Sequence, residues 1–285
     1  MQRGFYRQYA ELEDHHWWFV GRRRILQHAL DDSLGAASGV RVLDFGCGTG
    51  GWLRCLDRYG TVSAVDADDE AVSFARSRGR EDVRHVPSGQ PLPFSQGTFG
   101  LVTALDVLEH IDDDVAAVRD LHRVMQPGAL LVVTVPAFAF LWGDQDEISH
   151  HFRRYSPAQL QAVLEEGGFA VEHVSCFNSA LFPVVAAVRM VRRLLRGSRT
   201  DRTDFDLGPA WANRPLTWLL GAEAGLVVRR RVPFGVSVLA LARARPYGTG
   251  TDTSRREAGR SSRNAPVTTS ERARPSTTST SAVTE

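Results

Sequence analysis

The 285-residue chain contains no lysine, so all 34 of its basic side chains are arginines. A coding preference for arginine explains this bias without any function, although the planar guanidinium also suits carboxylate and phosphate ligands. The 33 acidic side chains nearly balance the basic ones and leave a formal net charge of +1. Because no strong positive charge is left over, we predict no nucleic-acid partner.

Cysteine is also scarce, and long apolar runs are missing. Three cysteines, Cys47, Cys55 and Cys176, are too few for a disulfide framework and indicate a reducing compartment. No stretch reaches the roughly 18 apolar residues of a membrane-spanning helix, and the first residues lack the apolar core of a signal peptide. The 43% apolar content is typical of a globular protein, which we expect in the cytoplasm.

A glycine-rich turn follows the first strongly apolar segment of the chain. Residues 40–45 are typical of a β-strand, and a helical pattern begins at Trp52. The glycines between them are Gly46, Gly48, Gly50 and Gly51. A strand, a glycine turn and a helix start form a nucleotide-type site in a doubly wound sheet. The glycines fit both GxGxxG and GxGxG, so by themselves they leave an NAD-dependent oxidoreductase open.

Two acidic residues narrow the choice of ligand. Asp44 lies at the end of the first strand, where the pyrophosphate of a dinucleotide would meet its charge. Like-charge repulsion makes that arrangement costly, whereas a cationic ligand is attracted. Asp66 follows Gly46 by 20 residues at the end of a second strand, a position suited to hydrogen bonds from ribose hydroxyls.

Apolar strands and helical segments alternate after the glycine turn. The predicted strands are 61–66, 82–86, 99–105 and 129–135, and the predicted helices are 52–58, 68–75 and 112–125. This alternation implies right-handed crossovers and a doubly wound α/β sheet. Ligands of such sheets bind beyond the carboxyl ends of the strands, so we expect the site there.

Several of these segments, taken in order, resemble the motifs of class I S-adenosylmethionine-dependent methyltransferases. VLDFGCGTG is similar to the first motif, AVDAD to the acidic end of the second strand, PLPFSQGTFGLVTALDVLEHI to the third and fourth motifs, and QPGALLVVTVP to the fifth strand with its turn. The resemblance covers residues 40–176 and extends to 235–243. It is greatest to the broad group that includes the ubiquinone-biosynthesis O-methyltransferases.

The resemblance implies a Rossmann-like sheet of seven strands whose last strand is antiparallel. Residues 169–176 would form the sixth strand and residues 235–242 the seventh, with a helical insertion at about 177–234 between them. The domains implied are an N-terminal helical cap at 1–38, a methyltransferase domain at 39–247 and a tail at 248–285. The tail is rich in Ser, Thr, Arg and Pro and is expected to be disordered.

The resemblance also implies S-adenosyl-L-methionine as the cofactor. Asp66 would hold the ribose, Ala67 would flank the adenine, and Ser88 stands where the family usually has Asp. The predicted cofactor-binding residues are Asp44, Gly46, Cys47, Gly48, Gly50, Asp66, Ala67, Ser88 and Asp106.

The run Asp106-Val107-Leu108-Glu109-His110 follows the fourth strand, beside the expected position of the methyl group. In ubiquinone-type members a similar ExxEH run binds a divalent metal, which would polarise a substrate hydroxyl. Alternatively, His110 is a general base, or Glu109 and His110 only brace the helix. We predict His110 as a catalytic residue and include no metal in the predicted site.

The loop at 142–155 crowds charged, aromatic and imidazole groups after the fifth strand. Such density favours substrate recognition over a solvated, ion-paired connection. We predict His150 as a second candidate base. The predicted substrate-binding residues are Trp18, Arg22, His151, Arg153, Arg154 and Tyr155.

Apolar residues alternate with Arg189, Arg192, Arg193 and Arg196 in the insertion, a pattern typical of an interfacial amphipathic helix. A pair of helices packed as a lid explains the same pattern. We therefore predict an O-directed methyltransferase for a small-molecule, glycan or lipid-linked acceptor, with peripheral contact to the inner membrane face. The alternative is a non-catalytic cofactor-binding or membrane-surface protein with the same fold.

Overall fold

The structure of the protein, a computed structural model, describes residues 5–35, 39–194 and 210–248. The helices are α1 (Phe5–Leu12), α2 (Trp17–Leu34), α3 (Leu53–Leu56), α4 (Asp69–Ser77), α5 (Asp114–Val124), α6 (Asp144–Ile148), α7 (Pro157–Glu166), α8 (Phe182–Leu194), α9 (Asn213–Ala222) and α10 (Ala224–Arg229). The strands are β1 (Val40–Phe45), β2 (Gly60–Asp66), β3 (Val83–His85), β4 (Phe99–Leu105), β5 (Met125–Pro136), β6 (Phe169–Phe177) and β7 (Ser237–Ala244).

The strands form one seven-stranded sheet in the order β3-β2-β1-β4-β5-β7-β6. Strands β1 to β5 pair with one another in parallel, and β7 runs antiparallel to both β5 and β6. The predicted seven-stranded Rossmann-like sheet with an antiparallel last strand is therefore confirmed. The carboxyl ends of β1, β2 and β4 meet at one edge of this sheet.

Apolar side chains fill both faces of the sheet. In the buried part of β5, Leu131 and Val133 belong to the core on one face, while Leu130 and Val132 belong to the core on the other. This division follows from the two-residue period of a strand. Helices α5 and α7 contribute to the first core, and α2 and α10 to the second, which explains why β5 is apolar almost throughout.

The N-terminal region packs against the insertion. It forms two helices, and His16 caps the second by accepting a hydrogen bond from the Trp18 backbone N–H at 3.4 Å. Helix α2 then contacts α9 and α10. Gly21 makes the contact close, because a Cβ at this position would lie 2.9 Å from the Cβ of Leu220.

Some element boundaries differ from prediction. Helix α3 has only four residues, and Met125 begins β5 instead of ending the preceding helix. Residues 211–228 are apolar enough to predict one helix, whereas the structure has two, α9 and α10, which meet at Glu223. The Glu223 side chain turns inward and accepts hydrogen bonds from the backbone N–H groups of Ser179 and Ala180 at 3.1 and 3.0 Å.

Within the described ranges, none of the helices is both long and apolar enough to cross a bilayer. Arg196 and the predicted tail from residue 249 onward lie outside the described residues.

We expect Gly21→Ala to lower the free energy of unfolding by about 1–3 kcal/mol, because the added methyl group overpacks the contact between α2 and α9. Urea unfolding of the purified protein measures this change. Gly225→Ala in α10 is the matched control, since a Cβ there would meet nothing nearer than His28 Nε2 at 3.9 Å. The control should gain roughly 0.5–1 kcal/mol from helix propensity. Equal stability of the two variants would contradict the packing role of Gly21.

Candidate functional site

A cleft of about 2220 Å³ lies at the carboxyl edge of the parallel strands. The ends of β1, β2 and β4 contribute Asp44, Asp66 and Asp106 to its wall. Helices α1, α2 and α8 cover it with side chains such as Tyr6 and Trp18. The cleft therefore occupies the position at which open α/β sheets bind their ligands.

The glycine turn after β1 forms part of this wall. Gly46 has a φ of 76°, and a Cβ there would lie 2.4 Å from Val107 Cγ2, so only glycine lets the segment after β4 approach. Gly48 has a φ of 54°, and its N–H donates to Asp66 Oδ2 at 2.7 Å. Gly50 is not on the cleft wall, contrary to its predicted contact with the cofactor. A Cβ at Gly50 would meet Ala75 at 3.1 Å, so this glycine serves the packing of the turn on α4.

Asp44 is buried at the end of β1 and accepts a hydrogen bond from Thr103 Oγ1 at 2.5 Å. Burial raises the pKa of Asp44 to about 7, although the Thr103 bond opposes the shift. Asp66 accepts a second backbone hydrogen bond from the N–H of Asp68 at 3.0 Å. Burial also raises the pKa of Asp66.

These residues could hold a ligand that has a cationic group and neighbouring hydroxyls. The buried Asp44 and the half-buried Asp66 face the cleft, and an ammonium or sulfonium would relieve the cost of ionising their carboxylates. Cys47, Ala67 and Ser88, which the sequence predicts to bind the cofactor, line the same cleft. Burial raises the pKa of the Cys47 thiol, which therefore remains protonated and contributes as a small apolar group.

Asp106 connects the end of β4 to the N-terminal helices. Its backbone has a φ of 57°, and its Oδ1 accepts a hydrogen bond from Thr134 Oγ1 at 2.9 Å. Its Oδ2 forms an ion pair with Arg22. Arg22 and Trp18, both predicted to bind substrate, line the cleft. Arg22 is paired with Asp106, however, and the ring of Trp18 stacks on that of Phe177 with centroids 5.8 Å apart.

Glu109, His110 and His151 form a compact cluster on the cleft wall. One carboxylate oxygen and one nitrogen of each imidazole all lie within 4.8 Å of one another. Such an O,N,N set has the chemistry to hold a divalent ion. Asp106, which the sequence groups with Glu109 and His110, is held by Arg22 and Thr134 instead.

The surroundings of Glu109 and His110 favour the uncharged form of each side chain. Burial, which removes water from the carboxylate, and the nearby Asp106 charge raise the pKa of Glu109 well above its usual range. Glu109 Oε2 is buried and has no hydrogen-bond partner among the described residues. Burial and the neighbouring His151 lower the pKa of His110 to about 4.

Asp146 anchors the loop that carries His151, and the sequence analysis assigned it no role. Its fully buried carboxylate accepts hydrogen bonds from His151 Nδ1 at 2.9 Å, Arg154 Nε at 2.7 Å and the Gly143 N–H at 2.8 Å. Burial alone would raise the pKa of Asp146, but the His151 and Arg154 contacts lower it to about 2. The sequence could have indicated this role, because Asp146 lies only five residues before His151 and eight before Arg154.

Besides Gly50, three further predicted site residues stand away from the cleft. His150 is exposed and does not line it. Arg153 pairs with Asp114 at 3.0 Å, and the buried Tyr155 hydroxyl donates to the same carboxylate at 2.6 Å. Arg153 and Tyr155 therefore fasten the loop to the start of α5, contrary to their predicted contact with substrate. Of the predicted loop residues, His151 and Arg154 reach the cleft.

An apolar wall, which the sequence analysis did not assign to the site, covers one side of the cleft. Its members are Trp17, Trp142, Leu181, Val184, Val185, Val188 and Leu216. Arg189 of α8 reaches the carbonyl oxygen of Leu141 and lies 3.6 Å from Asp146 Oδ2. This contact brings the apolar wall next to the loop that carries His151. The amphipathic pattern of α8, visible in the sequence, could have indicated this apolar wall.

Comparison with known proteins agrees with this geometry. Residues 19–174 match a family model described as methyltransferase domain. A ubiquinone biosynthesis O-methyltransferase of Xanthomonas oryzae is 33% identical over 186 residues, which cover 56% of this chain and 77% of the relative. A probable S-adenosylmethionine-dependent methyltransferase of Mycolicibacterium smegmatis is 30% identical over 222 residues, which cover 70% of this chain and 84% of the relative.

Solved structures share the fold. An S-adenosylmethionine-dependent methyltransferase from Mesorhizobium loti aligns with a TM-score of 0.50 at 19% identity, over 75% of this chain and 95% of the other. The [4+2]-cyclase SpnF aligns with a TM-score of 0.51 at 23% identity, over 78% of this chain and 81% of the other.

We expect S-adenosylhomocysteine, whose ammonium group is cationic, to bind more weakly as the pH falls below about 7, the pKa of Asp44. The ligand favours the ionised carboxylate, which falls from roughly nine tenths of the molecules at pH 8 to one tenth at pH 6. The dissociation constant should therefore rise about tenfold between these pH values, as measured by titration calorimetry.

Asp44→Asn should bind weakly at both pH values and lose this dependence. Asp57→Asn is the matched control, because Asp57 pairs with Arg80 on the surface and does not line the cleft. A wild-type affinity that does not change with pH would contradict the role of Asp44.

Proposed function

The chain belongs to the methyltransferase domain family and is an S-adenosylmethionine-dependent methyltransferase, and from this premise we propose that it methylates the oxygen of a hydroxylated, largely apolar acceptor. The observation that carries the proposal is the apolar wall beside the cluster of Glu109, His110 and His151. The printed name of the Xanthomonas relative, an O-methyltransferase, supports the choice of oxygen.

The cofactor supplies a methyl group that its sulfonium activates for displacement. Asp44 offers a buried negative charge to its cationic part, and Asp66 offers carboxylate oxygens to the ribose hydroxyls. Gly46 and Gly48 let the backbone come close, while Cys47, Ala67 and Ser88 complete the surface on which it lies. Each of these residues belongs to β1, β2 or the turn that follows a strand, so the donor side is built on the rigid sheet.

The acceptor side is built from helices and one loop. Val185 and Val188 of α8 and Trp142 of the loop form a surface that favours hydrocarbon over water. The imidazoles of His110 and His151 also line the cleft and offer hydrogen-bond partners to an acceptor hydroxyl group. A hydroxylated ring with a hydrocarbon substituent, in a small molecule or a lipid, suits both parts. A glycan acceptor suits the apolar wall less well.

We also propose that the protein contacts an anionic membrane surface through one face of α9. Trp211 is 77% exposed and Trp218 is 69% exposed. Trp218 lies four residues after the exposed Arg214, so these two share one face of α9, and Trp211 lies in the turn just before the helix. Tryptophan prefers the interface between water and hydrocarbon, and arginine adds attraction to anionic head groups. Such contact would give the cleft access to acceptors dissolved in lipid.

We expect a catechol with a long alkyl chain to be methylated with a kcat/KM about tenfold or more above that of unsubstituted catechol, because each buried CH₂ contributes about 0.8 kcal/mol. Methyl transfer from radiolabelled cofactor measures both rates. Val188→Asp should lower kcat/KM for the alkylated acceptor about tenfold, since it sets a charge against the chain.

Val191→Asp is the matched control, because Val191 is an exposed residue of α8 that does not line the cleft. Equal rates with both acceptors, or methylation of amine or thiol acceptors only, would refute the proposed acceptor.

We expect the protein to float with vesicles that contain anionic lipid at low salt, and to remain at the bottom of the gradient at high salt. Trp211→Ser with Trp218→Ser should abolish flotation. Phe152→Ser is the control, because Phe152 is similarly exposed, at 57%, but belongs to the loop before α7. No flotation of the wild-type protein at low salt would end the membrane proposal.

A further inference from the structure

One contact in the cleft determines the chemistry of His151. The Asp146 carboxylate lies 2.9 Å from His151 Nδ1. An ionised carboxylate only accepts hydrogen bonds, so Nδ1 must carry the hydrogen. In the neutral ring this leaves Nε2 with a free lone pair, which is the atom able to take up a proton.

The partner of His151 is held firmly. Arg154 and the backbone of Gly143 also donate to the Asp146 carboxylate, and Asp146 is completely buried. Arg154 in turn donates to the carbonyl oxygen of Ala137 at 3.1 Å. A carboxylate with several donors keeps one position and one charge state, which fixes the orientation of the imidazole beside it.

The backbone around His151 is fixed as well. The His151 N–H donates to the carbonyl oxygen of Asp146 at 2.9 Å, and the Phe152 N–H donates to that of Glu109 at 2.7 Å. The second bond fastens the loop to the segment after β4. The ring of His110 meets that of His151 edge to face, with centroids 4.6 Å apart. The His151 side chain is thus held on the cleft wall with 10% of its surface exposed.

The other histidines near the site are less suited to take up a proton. His150 is exposed and does not line the cleft. His110 lines the cleft, but burial and the neighbouring His151 lower its pKa to about 4. A ring with so low a pKa is a weak proton acceptor at neutral pH.

We propose that His151 is the general base of this methyltransferase and that Asp146 is the positioning residue that keeps its Nε2 free. The inference rests on the proposed transfer to oxygen. In the balanced reaction the acceptor O–H bond breaks and an O–CH₃ bond forms, while the electron pair of the S–CH₃ bond returns to sulfur. Nε2 of His151 holds the released proton and passes it to water through the open cleft.

Nuclear magnetic resonance of protein labelled with nitrogen-15 histidine tests the tautomer without any turnover. We expect one histidine in the Nδ1–H form, whose signals disappear in His151→Gln. In Asp146→Asn the ring should become a mixture of both tautomers. If the wild-type His151 carries its hydrogen on Nε2, or if Asp146→Asn leaves the tautomer unchanged, the role of Asp146 is refuted.

Kinetics test the role of the base. We expect His151→Gln to lower kcat by about 10²–10⁴-fold with the alkylated catechol, while KM and the affinity for S-adenosylhomocysteine change little. The loss should be much smaller with an alkylated nitrocatechol, whose hydroxyl is already ionised at neutral pH. His150→Gln is the matched control, a neighbouring histidine outside the cleft, and should behave like the wild type.

The outcomes are distinct. A kcat of His151→Gln close to that of the wild type would refute the base and leave the proposed transfer to oxygen standing. Loss of wild-type activity on treatment with EDTA, restored by Mg²⁺, would assign the imidazole to a metal instead and overturn the inference. A wild-type protein that methylates none of the hydroxyl acceptors would refute the proposed function, and this inference with it.

Discussion

Negative charge concentrated at one edge of the sheet is the constraint on which this site depends. Asp44 and Asp66 lie at the ends of β1 and β2, Asp106 directly follows β4, and Glu109 comes three residues later. Burial and mutual repulsion raise the pKa of Asp44 and Glu109, because each charge would be isolated from water or beside another charge. Arg22 neutralises one of these carboxylates from α2. A cationic cofactor would balance the negative charge of the remaining carboxylates.

The acceptor side depends on a different interaction, the packing of the N-terminal helices on the insertion. Gly21 and Leu220 bring α2 and α9 into close contact, and the buried Glu223 holds the start of the insertion. These contacts position α8 over the cleft, where Arg189 joins it to the loop of Asp146 and His151. Under the proposed function, the sheet thus makes the donor side, and helices distant in sequence make the acceptor side. Members of one family can therefore share a cofactor and differ in substrate.

The strands and the donor site could be predicted because their determinants are local. The apolar run of β5, the glycines after β1 and the acids that end the strands are each readable within a few residues. Element ends were predicted less well. Met125 joins a strand because β4 is available to pair with it, and Glu223 lies between two helices because its carboxylate binds N–H groups from a distant segment as α9 ends. Neither reason can be seen in the segment itself.

The sequence by itself determined the fold class and, through its family motifs, the cofactor, and it predicted the edge of the sheet for the site. Strand periodicity, glycine conformation and the charge at strand ends act over short distances along the chain. Only the tertiary structure decided which loop residues face the cleft. His150 and His151 are chemically identical neighbours, yet Asp146 and Glu109 hold one of them on the cleft wall and leave the other in solvent. Such a choice depends on the direction of each side chain, and contacts between distant segments set that direction.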